Sequence, residues 1–117
     1  MAVSNYQNLI VWRKAMDLAK EVYTLVKLLP KEELYALSDQ IRRSVVSIPS
    51  NIAEGCGRES KSQMAIFLRI AKGSAAELET QLLLCKEIGF IENTKLKTSF
   101  VLLDEISRMI RSLLRMR

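Results

Sequence analysis

The chain has 117 residues, enough for one hydrophobic core, and is 49% hydrophobic but only 6% aromatic. Histidine is absent, which removes the commonest general base and metal ligand, and two cysteines alone cannot hold a zinc ion. These features exclude most enzyme and metal-site chemistry. We therefore expect a non-enzymatic protein with no catalytic residues, no metal and no cofactor.

Charge and hydropathy limit the location and the partners. The net charge is +5 and the pI is about 9.4, which is compatible with an acidic partner such as a nucleic acid. The first eight residues are polar and do not resemble a secretory signal, and no uncharged apolar run approaches ~18 residues. We expect a cytoplasmic protein that does not enter a membrane and that keeps both thiols reduced.

The first predicted helix covers residues 9–29 and has two apolar lines. One line contains Trp12, Met16, Ala19, Tyr23 and Val26. The second line contains Val11, Ala15, Leu18, Val22, Leu25 and Leu29. Two lines are more than one neighbouring helix covers, so we expect part of the second line to contact another subunit. The residues expected in this subunit contact are Val11, Leu18 and Leu25.

The second predicted helix covers residues 32–54 and contains a proline. Its apolar line consists of Ile41, Val45, Ile48 and Ile52. Pro49 lies inside this pattern, and since proline has no N–H and its ring crowds the preceding turn, we expect a kink there. Short polar side chains surround the kink and can satisfy the backbone groups that the proline frees: Ser44, Ser47, Ser50 and Asn51.

The second predicted helix also contains two glycines near its end and two arginines beside its apolar line. Gly55 and Gly57 are expected to supply the positive φ of a C-terminal cap. Arg42 and Arg43 flank the apolar line and can contact phosphates or form ion pairs with neighbouring carboxylates. Both alternatives stay open, with pairing expected for one of the two arginines, because Glu77 and Glu79 on the next helix need cations.

The third predicted helix covers residues 63–88 and is rich in small residues between Ala71 and Ala76. Gly73 costs roughly 1 kcal/mol relative to alanine inside a helix, so we expect another helix to approach closely there. Glu77 lies one turn after Gly73, and we expect its carboxylate to be paired or hydrogen-bonded.

The fourth predicted helix covers residues 94–116. Its core line consists of Leu96, Phe100, Leu103, Ile106, Ile110 and Leu113. Residues 91–117 contain six Lys or Arg and three Asp or Glu, and most of these cations project from the side opposite the core line. This excess of basic residues is typical of a nucleic-acid contact. The residues expected to contact phosphates are Lys97, Arg108, Arg111, Arg115 and Arg117.

Four helices with short connections predict an all-α fold, an antiparallel up-down four-helix bundle that forms one domain over residues 1–117. Three segments carry a family resemblance: NLIVWRKAMDLAKEVY (8–23), QIRRSVVSIPSNIAEG (40–55) and FLRIAKGSAAELETQL (67–82). They resemble the four-helix-bundle proteins encoded in bacterial 23S rRNA intervening sequences. That family is similar to the accessory variability proteins of diversity-generating retroelements. The motif positions are Arg43, Ser47, Pro49, Asn51, Glu54, Gly55, Gly73, Ser74 and Glu77.

The resemblance implies ring-like homo-oligomers, usually pentamers. Two functions are compatible with the sequence. The first is an accessory protein that binds RNA or DNA through the basic outer surface of a homo-oligomer. The second is a protein-interaction scaffold or accessory subunit, for example of a reverse transcriptase, that does not bind nucleic acid. The resemblance favours the first, because the retroelement relatives bind nucleic acid and partner with a reverse transcriptase, although no role is established for the intervening-sequence members.

Overall fold

The structure of the chain, a computed structural model, describes residues 6–116. These residues form four α-helices and two short 3-10 turns, Tyr6–Asn8 and Lys31–Glu33, and contain no strand. The helices are α1 (Ile10–Val26), α2 (Leu37–Cys56), α3 (Lys61–Ile88) and α4 (Asn93–Arg115). Each helix packs against its two neighbours, and the diagonal pairs do not touch. The prediction of an all-α four-helix bundle is confirmed.

The helix boundaries differ from the prediction at the connection between α1 and α2. α1 ends at Val26 rather than at residue 29, and α2 begins at Leu37 rather than at residue 32. Pro30 has an extended ψ of 151°, and Ala36 has φ −122° and ψ −104°, so neither residue continues a helix. The segment between them forms a 3-10 turn instead.

The core of the bundle contains the line of α1 that we expected to contact another subunit. Val11, Leu18 and Leu25 are 4%, 0% and 5% exposed, and they pack with the apolar lines of the other helices. Side chains this deeply buried have no surface left for a second subunit, so this choice of interface residues is wrong. Met16 and Tyr23, on the other apolar line of α1, are exposed.

Two expectations about glycines are also wrong. Gly55 and Gly57 have negative φ, and among the described residues only Gly89, which caps α3, has a positive one, 93°. Gly55 instead permits close packing of α2 on α3: a Cβ placed there would lie 3.2 Å from both the Met64 carbonyl oxygen and the Phe67 Cβ. Around Gly73, by contrast, a Cβ would meet nothing within 4 Å. Gly73 is exposed, and no helix of the same chain approaches it.

The motif around Pro49 joins α2 to α3 through polar side chains. Ser47 and Ser74 share a hydrogen bond of 2.7 Å between their hydroxyls. Asn51 donates from Nδ2 to the Ser47 carbonyl at 2.8 Å and to the Ser47 hydroxyl at 3.0 Å. The carbonyl that the proline leaves without a helical donor is that of Val45, four residues before it, so Asn51 serves a different group. α2 continues through Pro49 to Cys56, and the kink stays a prediction.

Candidate nucleic-acid interface

Four of the five basic side chains in the described part of α4 share one exposed side of the helix. Lys97, Arg108, Arg111 and Arg115 are all exposed, and they lie opposite the buried Leu103 and Ile106 line. Arg108 forms an ion pair from Nε to Asp104 Oδ2 at 3.1 Å, with side chains that are 71% and 58% exposed. An exposed pair of this kind is weak, so Arg108 can exchange its carboxylate for a phosphate.

Lys97 is separate from the other three cations. It lies eleven residues before Arg108, or about 16 Å along the helix. It shares a groove between α1 and α4 with two carboxylates, Asp17 and Glu21. Lys97 therefore lies in a mixed-charge surface. Arg117 is outside the described residues.

α3 contributes cations that were missed at the level of sequence. Lys72 of α3 and Arg111 of α4 line the same groove, which also holds two carboxylates, Asp104 and Glu79. Lys61 and Arg69 are exposed earlier on α3. A signal for them existed in the sequence, because residues 60–76 contain three cations and no carboxylate. The start of α3 packs beside the end of α4, and this long-range contact, which local spacing does not predict, brings the two sets of cations to the same end of the bundle.

The net positive charge lies at one end of the bundle. We call residues 6–14, 53–72 and 104–116 the basic end; here α1 and α3 begin and α2 and α4 end. The basic end contains nine Lys or Arg and four Asp or Glu, whereas the remaining described residues contain eight and nine. Its net charge is therefore +5, against −1 for the rest.

Most carboxylates of the basic end are already paired. Glu54, Asp104 and Glu105 form ion pairs with Arg58, Arg108 and Lys14, at 2.6, 3.1 and 3.1 Å. Six cations of the basic end have no carboxylate within 4.0 Å among the described residues. These unpaired cations are Arg13, Lys61, Arg69, Lys72, Arg111 and Arg115. Such a surface attracts anions with several charges.

Comparison with known proteins identifies the family of this chain. The family described as 23S rRNA-intervening sequence protein matches residues 7–112. The chain belongs to that family. A solved structure from Bacteroides thetaiotaomicron VPI-5482, a protein of unknown function from the S23 ribosomal protein family at 1.70 Å resolution, is similar with a TM-score of 0.83 and 27% identity. The similarity covers 90% of this chain and 98% of that one. A search among curated proteins finds no match.

The motif that this family member carries lies mainly at the junction of α2 and α3. Glu54 pairs with Arg58, whose guanidinium lies 4.5 Å from the centre of the Phe67 ring. Arg43 pairs with Asp39 of its own helix at 3.0 Å, not with Glu77 or Glu79 as expected. Arg42 donates to the Leu34 carbonyl at 3.2 Å.

Glu77 differs from the rest of the motif. It is exposed and forms no ion pair or hydrogen bond among the described residues, so the expectation of a paired carboxylate is wrong. The missing partner has the same cause as the empty space around Gly73: none of the other described helices covers this side of α3.

The buried thiols offer no reactive centre. Cys56 and Cys85 are both free and buried. Burial raises the pKa of Cys56, and burial together with the charge of Glu33 raises the pKa of Cys85 to about 11. Both side chains are therefore neutral thiols at pH 7. Over residues 6–116, no group of three or more metal-ligating side chains comes together, and no helix is long and apolar enough to span a bilayer.

Proposed function

We propose that this family member is a non-enzymatic cytoplasmic protein that binds the phosphate backbone of RNA or DNA through its basic end, as a homo-oligomer. The observation that carries the proposal is the charge distribution: the basic end has a net charge of +5, and the rest of the described chain has −1. A uniformly scattered charge would give solubility without a site. A charge concentrated on neighbouring helix ends supports binding to a polyanion.

The chemistry of the side chains fits phosphate. Arg111 and Arg115 lie one turn apart on α4, and Lys72 lies across the groove from Arg111. The planar guanidinium group of arginine can bind two phosphate oxygens at once. No exposed aromatic or amide side chain lies in this groove, so we propose binding that is largely independent of sequence.

The homo-oligomer part of the proposal rests on the resemblance, which implies a pentameric ring. Several basic ends in one assembly would engage one nucleic-acid chain together, and the linked sites would raise the affinity above that of a single subunit. The similarity to retroelement accessory proteins, and with it a reverse-transcriptase partner, is likewise a proposal.

The test is a salt series of binding to RNA and DNA oligonucleotides, with the triple variant Lys72→Ser, Arg111→Ser, Arg115→Ser. Each lost phosphate contact lowers the slope of log affinity against log salt by about 0.7–0.9, so the triple variant should lose about 2–3 units of slope and bind weakly. The matched control is Lys31→Ser, Lys86→Ser, Lys95→Ser, which removes the same charge from exposed positions outside the basic end.

If both triple variants weaken binding equally, the total charge and not the basic end is responsible. If the unaltered protein binds neither RNA nor DNA at low salt, the scaffold function replaces nucleic-acid binding. The thermal midpoint of both variants should stay close to that of the unaltered protein, because exposed substitutions usually cost within ~0.5 kcal/mol each.

A further inference from the structure

α3 has an apolar line on its solvent side. Ile66, Ile70, Leu84 and Ile88 are 54%, 46%, 47% and 53% exposed. Together with Gly73, Glu77 and Thr80 they follow helical spacings of three and four, so they form one line that we call the outer line of α3. Only Glu77 among these seven residues is charged. A surface helix normally has a polar outer side, and one that is apolar on both sides is normally covered.

Gly73 lies in the middle of the outer line, and because it has no side chain it leaves a dent in the apolar surface. Nothing in residues 6–116 lies within 4 Å of a Cβ placed there, so no contact among these residues requires a glycine. Glycine inside an exposed helix is unfavourable relative to alanine. A dent on an apolar surface is what a side chain from outside would fill.

The same chain has a second apolar surface that is not used in its core. Met16 and Tyr23 of α1 are 37% and 44% exposed, and Trp12 and Ala19 on the same line are half-buried. We call this the outer line of α1. Three exposed cations at seven-residue spacing, Arg13, Lys20 and Lys27, border it. α1 and α3 are diagonal in the bundle and do not touch, so one subunit can use both outer lines at once.

We propose that the outer line of α3 packs against the outer line of α1 in a second copy of this chain. The two surfaces suit each other in charge as well as in polarity, since the one charge on the α3 line is Glu77, which forms no ion pair among the described residues. Of the cations bordering the α1 line, Lys20 pairs with Asp17 at 3.9 Å, and Arg13 and Lys27 have no carboxylate within 4.0 Å among the described residues. Both halves of the contact belong to one chain, and this favours a second copy over a different protein. The inference rests on the proposed homo-oligomer and not on nucleic-acid binding.

This contact joins two different surfaces, so it is head-to-tail. A head-to-tail contact leaves one free surface of each kind on a dimer and therefore continues until the ring closes. The outer lines overlap the basic end at Trp12, Ile66 and Ile70, and Arg13 borders the contact. The cations of α4 belong to neither line, so assembly leaves Arg108, Arg111 and Arg115 outside the contact.

The experiment measures mass by light scattering at micromolar concentration. The α3 variant carries Ile70→Glu and Leu84→Glu. The α1 variant carries Met16→Lys and Tyr23→Lys, because a carboxylate there would pair with the cations that border the α1 line. Each should raise the dissociation constant about 100-fold or more, because charged groups would replace apolar contacts, and should return a monomer of 13.3 kDa. The control is Val101→Glu, a more exposed apolar position on α4, which should leave the mass of the assembly unchanged.

Mixing the two variants tests the pairing itself. The α3 variant keeps an intact α1 line, and the α1 variant keeps an intact α3 line, so one subunit of each can form a single contact. The expected product of the mixture is therefore a dimer of twice 13.3 kDa and not a ring. If the α1 variant alone keeps the full assembly, the α3 line does not pair with α1 and the proposal is overturned. A monomeric unaltered protein overturns it as well.

Gly73→Gln tests the glycine separately for folding and for assembly. In the monomeric α1 variant, where no subunit contact contributes, the substitution should raise the thermal midpoint of unfolding, since it improves helix propensity and meets no neighbouring atom among the described residues. It should also weaken assembly by filling the dent. An increase in stability with an unchanged assembly would place Gly73 outside the contact. Nucleic-acid binding is measured separately, so a failure of this proposal is distinguishable from a failure of the proposed function.

Discussion

A Cβ at residue 55 would lie 3.2 Å from the Cβ of Phe67, which makes Gly55 the tightest point between α2 and α3 among the described glycines. The Met64 carbonyl oxygen is equally close, and a backbone group cannot rotate away as a side chain can. A Cβ at this position would therefore require the two helices to move apart by a few tenths of an ångström.

Gly55→Ala should therefore destabilise the protein, although alanine is the better helix former. Overpacking costs roughly 1–3 kcal/mol, against a propensity gain of about 1 kcal/mol, so we expect a net loss near 1 kcal/mol in the free energy of unfolding. Gly73→Ala is the matched control and should gain up to about 1 kcal/mol, because it meets nothing within 4 Å. Urea unfolding of both variants decides the matter, and a stabilised Gly55→Ala would contradict the tight contact.

Ser47 and Ser74 should be coupled in a double-mutant cycle. Each serine changed to alanine leaves the other hydroxyl without its 2.7 Å partner, so each single change should cost about 1 kcal/mol. The double variant should cost less than the sum, with a coupling of about 0.5–1 kcal/mol. The comparison pair is Ser47→Ala with Thr80→Ala, because Thr80 bonds the Ala76 carbonyl of its own helix. Strict additivity for Ser47 and Ser74 would mean that the hydroxyl contact does not stabilise the fold.

The high pKa of Cys85 should make the protein less stable in alkaline solution. The pKa is raised from 9.0 to about 11 by burial and by Glu33. Below pH 9 both folded and unfolded chains keep the thiol proton; between about pH 9 and 11 the unfolded chain releases it and the folded chain does not. Stability therefore falls across this window, by up to about 2–3 kcal/mol.

Lysine and tyrosine side chains titrate in the same pH range, so Cys85→Ala is the control. Its free energy of unfolding, measured under reducing conditions, should fall less steeply from pH 9 to 11 than that of the unaltered protein. Parallel pH profiles for the two proteins would show that the thiol does not titrate as its burial implies.

The number of helices and most of the core were predictable, because Ile41, Val45, Ile48 and Ile52 show a clear helical period and are all 0% exposed. The side of α1 that faces the core was not predictable. Both lines of the helix are apolar, and periodicity alone does not indicate which of them is buried. The border of Arg13, Lys20 and Lys27 beside Met16 and Tyr23 was the available signal.

The candidate site was predictable only in part. Arg108, Arg111 and Arg115 follow from the period of α4 alone. Lys72 and Arg69 belong to a helix whose neighbour is fixed by long-range packing, and their proximity to α4 cannot be obtained from local spacing. The close approach expected at Gly73 occurs at Gly55, and the positive φ expected at Gly55 and Gly57 occurs at Gly89. Sequence alone does not distinguish these roles, because a glycine can serve either the backbone angle or the distance to a neighbour.

The ion pair between Arg108 and Asp104 leads to the last prediction. Asp104 is one of four carboxylates of the basic end, and its 3.1 Å contact holds an arginine that a phosphate would otherwise use. Asp104→Asn removes that competition and one negative charge, so affinity for RNA or DNA should rise about 2–5-fold at low salt, and the salt slope should steepen by up to about 0.9. Glu87→Gln makes the same charge change at an exposed position outside the basic end. It should change both the affinity and the salt slope less than Asp104→Asn does. Because both side chains of the ion pair are more than half exposed, the thermal midpoint should hardly move. If Asp104→Asn binds no better than Glu87→Gln, Arg108 lies outside the phosphate site, and the site is confined to Arg111, Arg115 and the cations of α3.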